Sequence, residues 1–179
     1  MSLDSLQQQP LVETERFDLR PVQMSDTGLL EHYCSDERVA RMTPTIPHPL
    51  PPGAVEAMVD RVTAVERDED VWVMDASKTG SAEVMGAITL KRMDRNQSEV
   101  AYWVAPQFWN TGTASQAVEA LIGANPMGND TIFASVFQDN PASARVLVNC
   151  GFEYIGDAEA FCVSRNAKVP TWTYIKKLT

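Results

Sequence analysis

Apolar and polar residues alternate singly along Arg16-Phe17-Asp18-Leu19-Arg20, the period of a strand with one buried face. This predicts a first strand over residues 15–22. The period then changes: Ser25 and Asp26 supply helix-start residues for a helix over 25–33, and a shorter helical piece covers 37–42. Five prolines in the stretch 43–53 make it a loop. Beyond it, Val55, Met58, Val59 and Val62 share one face at helical spacing, predicting a helix over 54–66. Apolar runs at 71–75, 84–93 and 99–104 read as consecutive strands, joined by turns at Lys78-Thr79-Gly80 and Asp94-Arg95-Asn96. A helix over 113–123, a Gly/Pro/Asn turn over 123–130, a strand over 131–137 and a helix over 141–150 follow. Strands over 152–155 and 170–176 complete the chain. Strands first, then strand–helix–strand–helix–strand, describe a mixed, mostly antiparallel α/β sheet.

Composition narrows this picture without changing it. At 179 residues, 44% hydrophobic and 22% charged, the chain reads as one domain over 1–179 with a sizeable core. Residues 1–10 are expected to be disordered or a remnant of expression. No apolar run reaches the roughly 18 residues of a membrane span, and the Gln7–Gln9 region lacks the pattern of a secretory signal. Cys34, Cys150 and Cys162 show no metal-type spacing, so reduced thiols in a cytoplasmic protein are expected. No ligand cluster for a metal is evident. A net charge of −9 argues against nucleic acid and tilts towards a cationic partner. Neither a phosphate-binding G-x-x-x-x-G-K-S/T nor a dinucleotide G-x-G-x-x-G is present.

Two segments carry candidate chemistry. The first is Tyr102-Trp103-Val104-Ala105-Pro106-Gln107-Phe108-Trp109-Asn110-Thr111-Gly112-Thr113-Ala114-Ser115, a strand, a loop, and a small-residue turn opening a helix. The free N–H groups of a first helical turn, at the positive end of its dipole, favour an anion. The second is Asp139-Asn140-Pro141-Ala142-Ser143, running on to Leu147 and Gly151-Phe152. Here Asn140 and Pro141 start a helix as N-cap and first residue, and Gly151 ends it in the left-handed region.

These segments, in this order, resemble the acyl-CoA loop and the N-x-x-S helix of GNAT-superfamily acetyltransferases of the RimJ/RimL type. The resemblance extends upstream to Arg16-Phe17-Asp18-Leu19-Arg20-Pro21 and to the Pro47-His48-Pro49-Leu50 region. It implies a GNAT-like twisted sheet of about six or seven strands with about four helices, whose fourth and fifth strands splay around acetyl-CoA as co-substrate. Asn110 stands where that branch has Gly, and Thr111 where it has a residue such as Lys, so the loop is expected to have lost a glycine and a positive charge.

The same resemblance implies the site. Main-chain groups of Trp103, Val104 and Ala105 are expected to meet the pantetheine arm, and Asn110, Thr111, Gly112, Thr113, Ala114 and Ser115 the pyrophosphate. Asn140 and Ser143 are expected to face the cofactor groove. The Val104 N–H is the candidate for the developing oxyanion. Glu99 is the candidate base, with Glu83 as an alternative; His48 in the proline loop is a candidate neighbour of the acceptor, and His32 is expected to be structural. Leu147 occupies the position where other branches carry a tyrosine acid, so Ser143 is the candidate donor to the leaving sulfur. Trp109 is expected to pack. The implied reaction is direct attack of a primary amine, a protein N-terminus or a small amine, on the thioester. A catalytically silent acyl-CoA-binding module on the same fold is the alternative. The sequence sets no oligomeric state, and a homodimer is compatible with it.

Overall fold

A computed structural model describes residues 9–178, so nearly all of the 1–10 tail lies outside the described residues. One sheet organises the chain. Its strands are β1 (Val12–Glu13), β2 (Asp18–Pro21), β3 (Glu69–Asp75), β4 (Gly86–Met93), β5 (Gln97–Val104), β6 (Thr131–Phe137), β7 (Glu153–Cys162) and β8 (Ala167–Lys177). They lie in the order β1-β2-β3-β4-β5-β6-β8-β7. Every neighbouring pair is antiparallel except β5 and β6.

Five helices cover the two faces: α1 (Thr27–Cys34), α2 (Glu37–Ala40), α3 (Ala54–Val62), α4 (Thr113–Ala124) and α5 (Pro141–Asn149). β3 shows why both faces are covered. Its run Val71-Trp72-Val73-Met74 is buried throughout, as strands sandwiched between two layers are. Trp72 and Met74 meet Ala117, Val118 and Leu121 of α4 and Leu147 of α5 in one cluster. Val71 and Val73 meet Leu30 of α1 and Val55, Val59 and Val62 of α3 in another. Alternation along a strand thus assigns each residue to one helix layer.

Among the described residues the sheet has eight strands and the chain five α-helices, one more of each than the upper expected counts. The strand predicted over 15–22 is shortened to β2, and β1 is an additional strand before it, because Thr14 N–H donates to Phe17 O at 2.9 Å and turns the chain between the two. The helix predicted over 54–66 stops at Val62; Val65 beyond it is 65% exposed. β7 runs on to Cys162, held by pairing with β8 rather than by any apolar pattern of its own.

The parallel pair is the exception that creates the site. β5 and β6 are joined only at Gln97–Thr131, Ser98–Ile132 and Glu99–Phe133. Both strands continue beyond Glu99 and Phe133, but without pairing.

Candidate active site

Where β5 leaves β6, its hydrogen-bond phase decides which main-chain groups are available. In an antiparallel pair, successive residues turn their N–H and C=O to opposite sides. Ala105 N–H donates to Met85 O at 2.8 Å, and Asp130 N–H donates to Asn96 O at 2.9 Å. Odd-numbered residues of β5 therefore face β4, and even-numbered ones face β6. Trp103 and Ala105 have their main-chain donors directed at β4, a correction to the expectation that all of 103–105 serve a ligand. Val104 directs its amide into the unpaired gap. Its carbonyl accepts the Trp109 indole N–H at 2.7 Å, so Trp109, 42% exposed, tethers the strand end rather than filling the core.

The strand is brought to this position by a missing side chain. A Cβ on Gly86, opposite Val104 on β4, would lie 2.2 Å from Trp103 O. Real Cβ atoms do not approach a carbonyl so closely, so only glycine permits this approach.

The loop into α4 turns through two residues in the left-handed region. Asn110 has φ 61° and Gly112 φ 78°, and asparagine is among the few side-chain-bearing residues that enter the left-handed region readily. Thr111 bonds through its hydroxyl to Phe108 O and to the Thr113 hydroxyl. No side chain caps α4, which leaves its first N–H groups to a ligand or water. Asn110 and Ala114 line the cleft, whereas the buried Thr113 hydroxyl lies under the loop. A cation also stands here: Arg16, from the β1–β2 turn, donates to Thr111 O at 3.1 Å and to Gln116 Oε1 at 2.9 Å. Its charge lies beside the loop that lacks a basic residue of its own.

Across the gap, α5 presents Asn140 and Ser143 to the cleft. Asn140 occupies the N-cap position, but its side chain makes no capping bond, contrary to the capping role expected for it. Ser143 Oγ lies 2.9 Å from the Tyr102 hydroxyl, which is also 3.0 Å from Ser143 O. Burial pushes the Tyr102 phenol well above its ordinary value, with the Ser143 bond pulling the other way. A phenol therefore does reach this helix, from β5 and not from the Leu147 position.

Glu99 and Tyr102, three residues apart, project to opposite faces of β5. Tyr102 packs with the α4–α5 layer, while Trp103, on the same side as Glu99, packs with the α1–α3 layer. Both Glu99 and Tyr102 line one cleft of about 1270 Å³ that passes through the gap. On the Glu99 side its wall includes Met42, Met58, Val62 and Trp103. Lys91 stands opposite Glu99 on β4. The mouth carries Arg61, Arg92 and Lys91 alongside Glu66, Asp68 and Glu69, so the acidity of the whole chain is not repeated there. Glu83 is exposed, and neither His32 nor His48 lines the cleft. Among the described residues no cluster suited to a metal ion occurs, and no helix is long and apolar enough to cross a membrane.

Known proteins resemble this chain in sequence or in fold. The Bacillus subtilis (strain 168) protein YoaA, described as an uncharacterized N-acetyltransferase, is 24% identical over 169 residues, spanning 92% of this chain and 95% of that protein. RimL, a ribosomal L7/L12 alpha-N-protein acetyltransferase solved with coenzyme A, superposes with a TM-score of 0.80 at 14% identity, over 94% of this chain and 98% of that one. Spermidine N-acetyltransferase from Vibrio cholerae, solved with CoA and spermine, gives 0.75 at 15% identity, over 92% and 99%. At such identities the likeness is one of fold. Residues 16–153 match the family described as the acetyltransferase (GNAT) domain, a stretch that runs from Arg16 beside the loop through the parted strands and α5. The chain belongs to the GNAT acetyltransferase family.

Proposed function

We propose that the protein is an acetyl-CoA-dependent N-acetyltransferase in which a primary amine attacks the thioester directly, within the gap between β5 and β6. The observation that carries this reading is the placement of the Val104 amide. It is unpaired with β6, points into the gap, and lies between a face bearing Glu99 and a face bearing Ser143. The residues present suit the donor. The uncapped start of α4, with Arg16 alongside, holds the pyrophosphate by main-chain donors and a fixed positive charge. Tyr102 and Val104 offer main-chain groups to an extended pantetheine arm.

The acceptor enters from the α1–α3 side. Glu99 takes a proton from the amine through a water, and general-base assistance of this kind contributes about 10²- to 10⁴-fold. The Val104 N–H holds the acetyl oxygen as charge gathers on it, and one such donor is worth roughly 10²- to 10³-fold. Ser143 donates a hydrogen bond to the departing sulfur. A thiol with a free pKa of about 8.5 leaves readily, so a weak donor suffices. Holding both substrates in one narrow passage supplies much of the remaining acceleration. A mouth bearing both charge signs fits amines that carry an additional polar or anionic group as well as simple cations. Protein N-termini and small polyamines are the two acceptor classes to compare, since RimL and the Vibrio cholerae enzyme are named for one of each.

The test is release of CoA thiol from acetyl-CoA against a panel of N-terminal peptides, polyamines and amino acids, with calorimetric titration of CoA alongside. Amine-dependent release is the expected result. Binding without turnover across the whole panel would instead identify a silent acyl-CoA-binding module. No binding of CoA would end the transferase reading.

A further inference from the structure

The hydrogens of the Tyr102–Ser143 pair can be counted. The Tyr102 hydroxyl has one hydrogen and two neighbours, Ser143 Oγ at 2.9 Å and Ser143 O at 3.0 Å. With that hydrogen on the carbonyl, Ser143 must direct its own hydrogen at Tyr102, and it then shows only lone pairs to the cleft. With the hydrogen on Oγ instead, Ser143 is free to donate into the cleft. In the structure Ser143 Oγ donates to the Tyr102 hydroxyl and Tyr102 donates to Ser143 O, so the second arrangement is reached by turning the Tyr102 hydrogen from the carbonyl to Oγ. The carbonyl is not orphaned by the change, because within α5 it accepts the N–H four residues on. An anion in the gap therefore selects between two hydrogen patterns that need no movement of the backbone.

We propose that Tyr102 is the positioning residue of the leaving-group step, turning the Ser143 hydroxyl outward to the sulfur by donating its own hydrogen to Ser143 Oγ. This rests on the reading above that Ser143 faces the thioester sulfur. The carbon–sulfur electron pair goes to sulfur, which departs as thiolate and takes its proton from water. The amine proton goes to Glu99, and the Ser143 and Tyr102 hydroxyls keep theirs. Tyr102 is not itself the acid: burial holds its phenol far above the range in which a thiolate could remove the proton. Its side chain also packs among the apolar residues between β5 and the helices α4 and α5, which fixes the phenol and through it the serine.

The test needs no acceptor. CoA with a free thiol is bound to the protein, and the thiolate is followed by its ultraviolet absorbance as pH is raised. In the wild-type protein the outward-turned hydroxyl favours the thiolate, so the bound thiol titrates below free CoA. In Ser143→Ala the titration moves back up. Tyr102→Phe, which keeps the ring and its packing, lowers the thiolate fraction near neutral pH by about three- to tenfold. The double variant titrates with Ser143→Ala alone, and CoA affinity stays within about twofold throughout, since the pair acts on one atom. A Tyr102→Phe protein that titrates as wild type, or a double variant in which the two shifts add, overturns the proposal. Bound CoA that titrates identically in wild type and Ser143→Ala removes the Ser143 reading, and the proposal with it, while leaving donor binding intact. Failure of wild-type protein to bind CoA strikes the function itself.

Discussion

The two sides of the gap are built in different ways. The α4–α5 side takes its chemistry from contiguous segments, β5 running into α4 and β6 running into α5, and it offers mostly main-chain donors. The α1–α3 side gathers side chains from distant parts of the chain: Met42, Met58, Arg61, Lys91 and Glu99. Backbone recognition tolerates substitution as long as the dihedrals survive, which is how Asn110 at φ 61° stands in a glycine position. Side-chain recognition has no such tolerance, so residue identity on the α1–α3 side, the proposed acceptor side, decides what enters.

This contrast predicts where variants should register. The largest effect belongs to Glu99→Gln, which keeps shape and removes the proposed base. We expect kcat to fall on the order of 10²-fold with the acetyl-CoA KM unchanged, read from steady-state kinetics with the best amine of the panel. A raised donor KM would blur the division between the two sides. Gly86→Ala tests the opposite prediction, that backbone geometry governs the donor side. Its Cβ must displace Trp103 O, which costs about 1–3 kcal/mol of stability and shifts Val104. Thermal melting should show the loss, and CoA titration should show weaker binding. Native affinity in this variant would break the argument from strand phase. The smallest effect is expected of Asn110→Gly, which relaxes a left-handed residue without removing a contact used here. CoA affinity should stay within about twofold, and a large change would mean that the Asn110 side chain itself takes part.

The same contrast explains what could be read in advance. The donor segments were legible because their spacing lies within one strand–turn–helix unit, where capping and small-residue rules operate locally. Arg16 was not, because it reaches Thr111 across 95 positions and nothing in the alternating segment that it opens marks it. The Tyr102–Ser143 contact spans 41 positions and depends on which face of β5 the ring takes, a matter of register and not of motif. The direction of the Trp103 and Ala105 main-chain donors was hidden for the same reason, since register turns them to β4. Net charge was a poor guide to the mouth of the cleft, where Arg61, Lys91 and Arg92 offset much of the acidity. β7 extends further than its sequence suggests because it is held by pairing with β8 and not by burial, with Ile155 and Phe161 more than half exposed.

The parting of β5 and β6 gives the molecule two strand edges in the middle of its sheet, where an edge is usually a hazard. Only three residue pairs bridge the halves there. A ligand seated between them would complete the hydrogen-bonding ladder as a borrowed strand, and any molecule bound only by the folded form adds to its stability. At a hundredfold excess over the dissociation constant that is about 2.7 kcal/mol. The melting temperature of this protein should therefore serve as a gauge of what occupies its sheet.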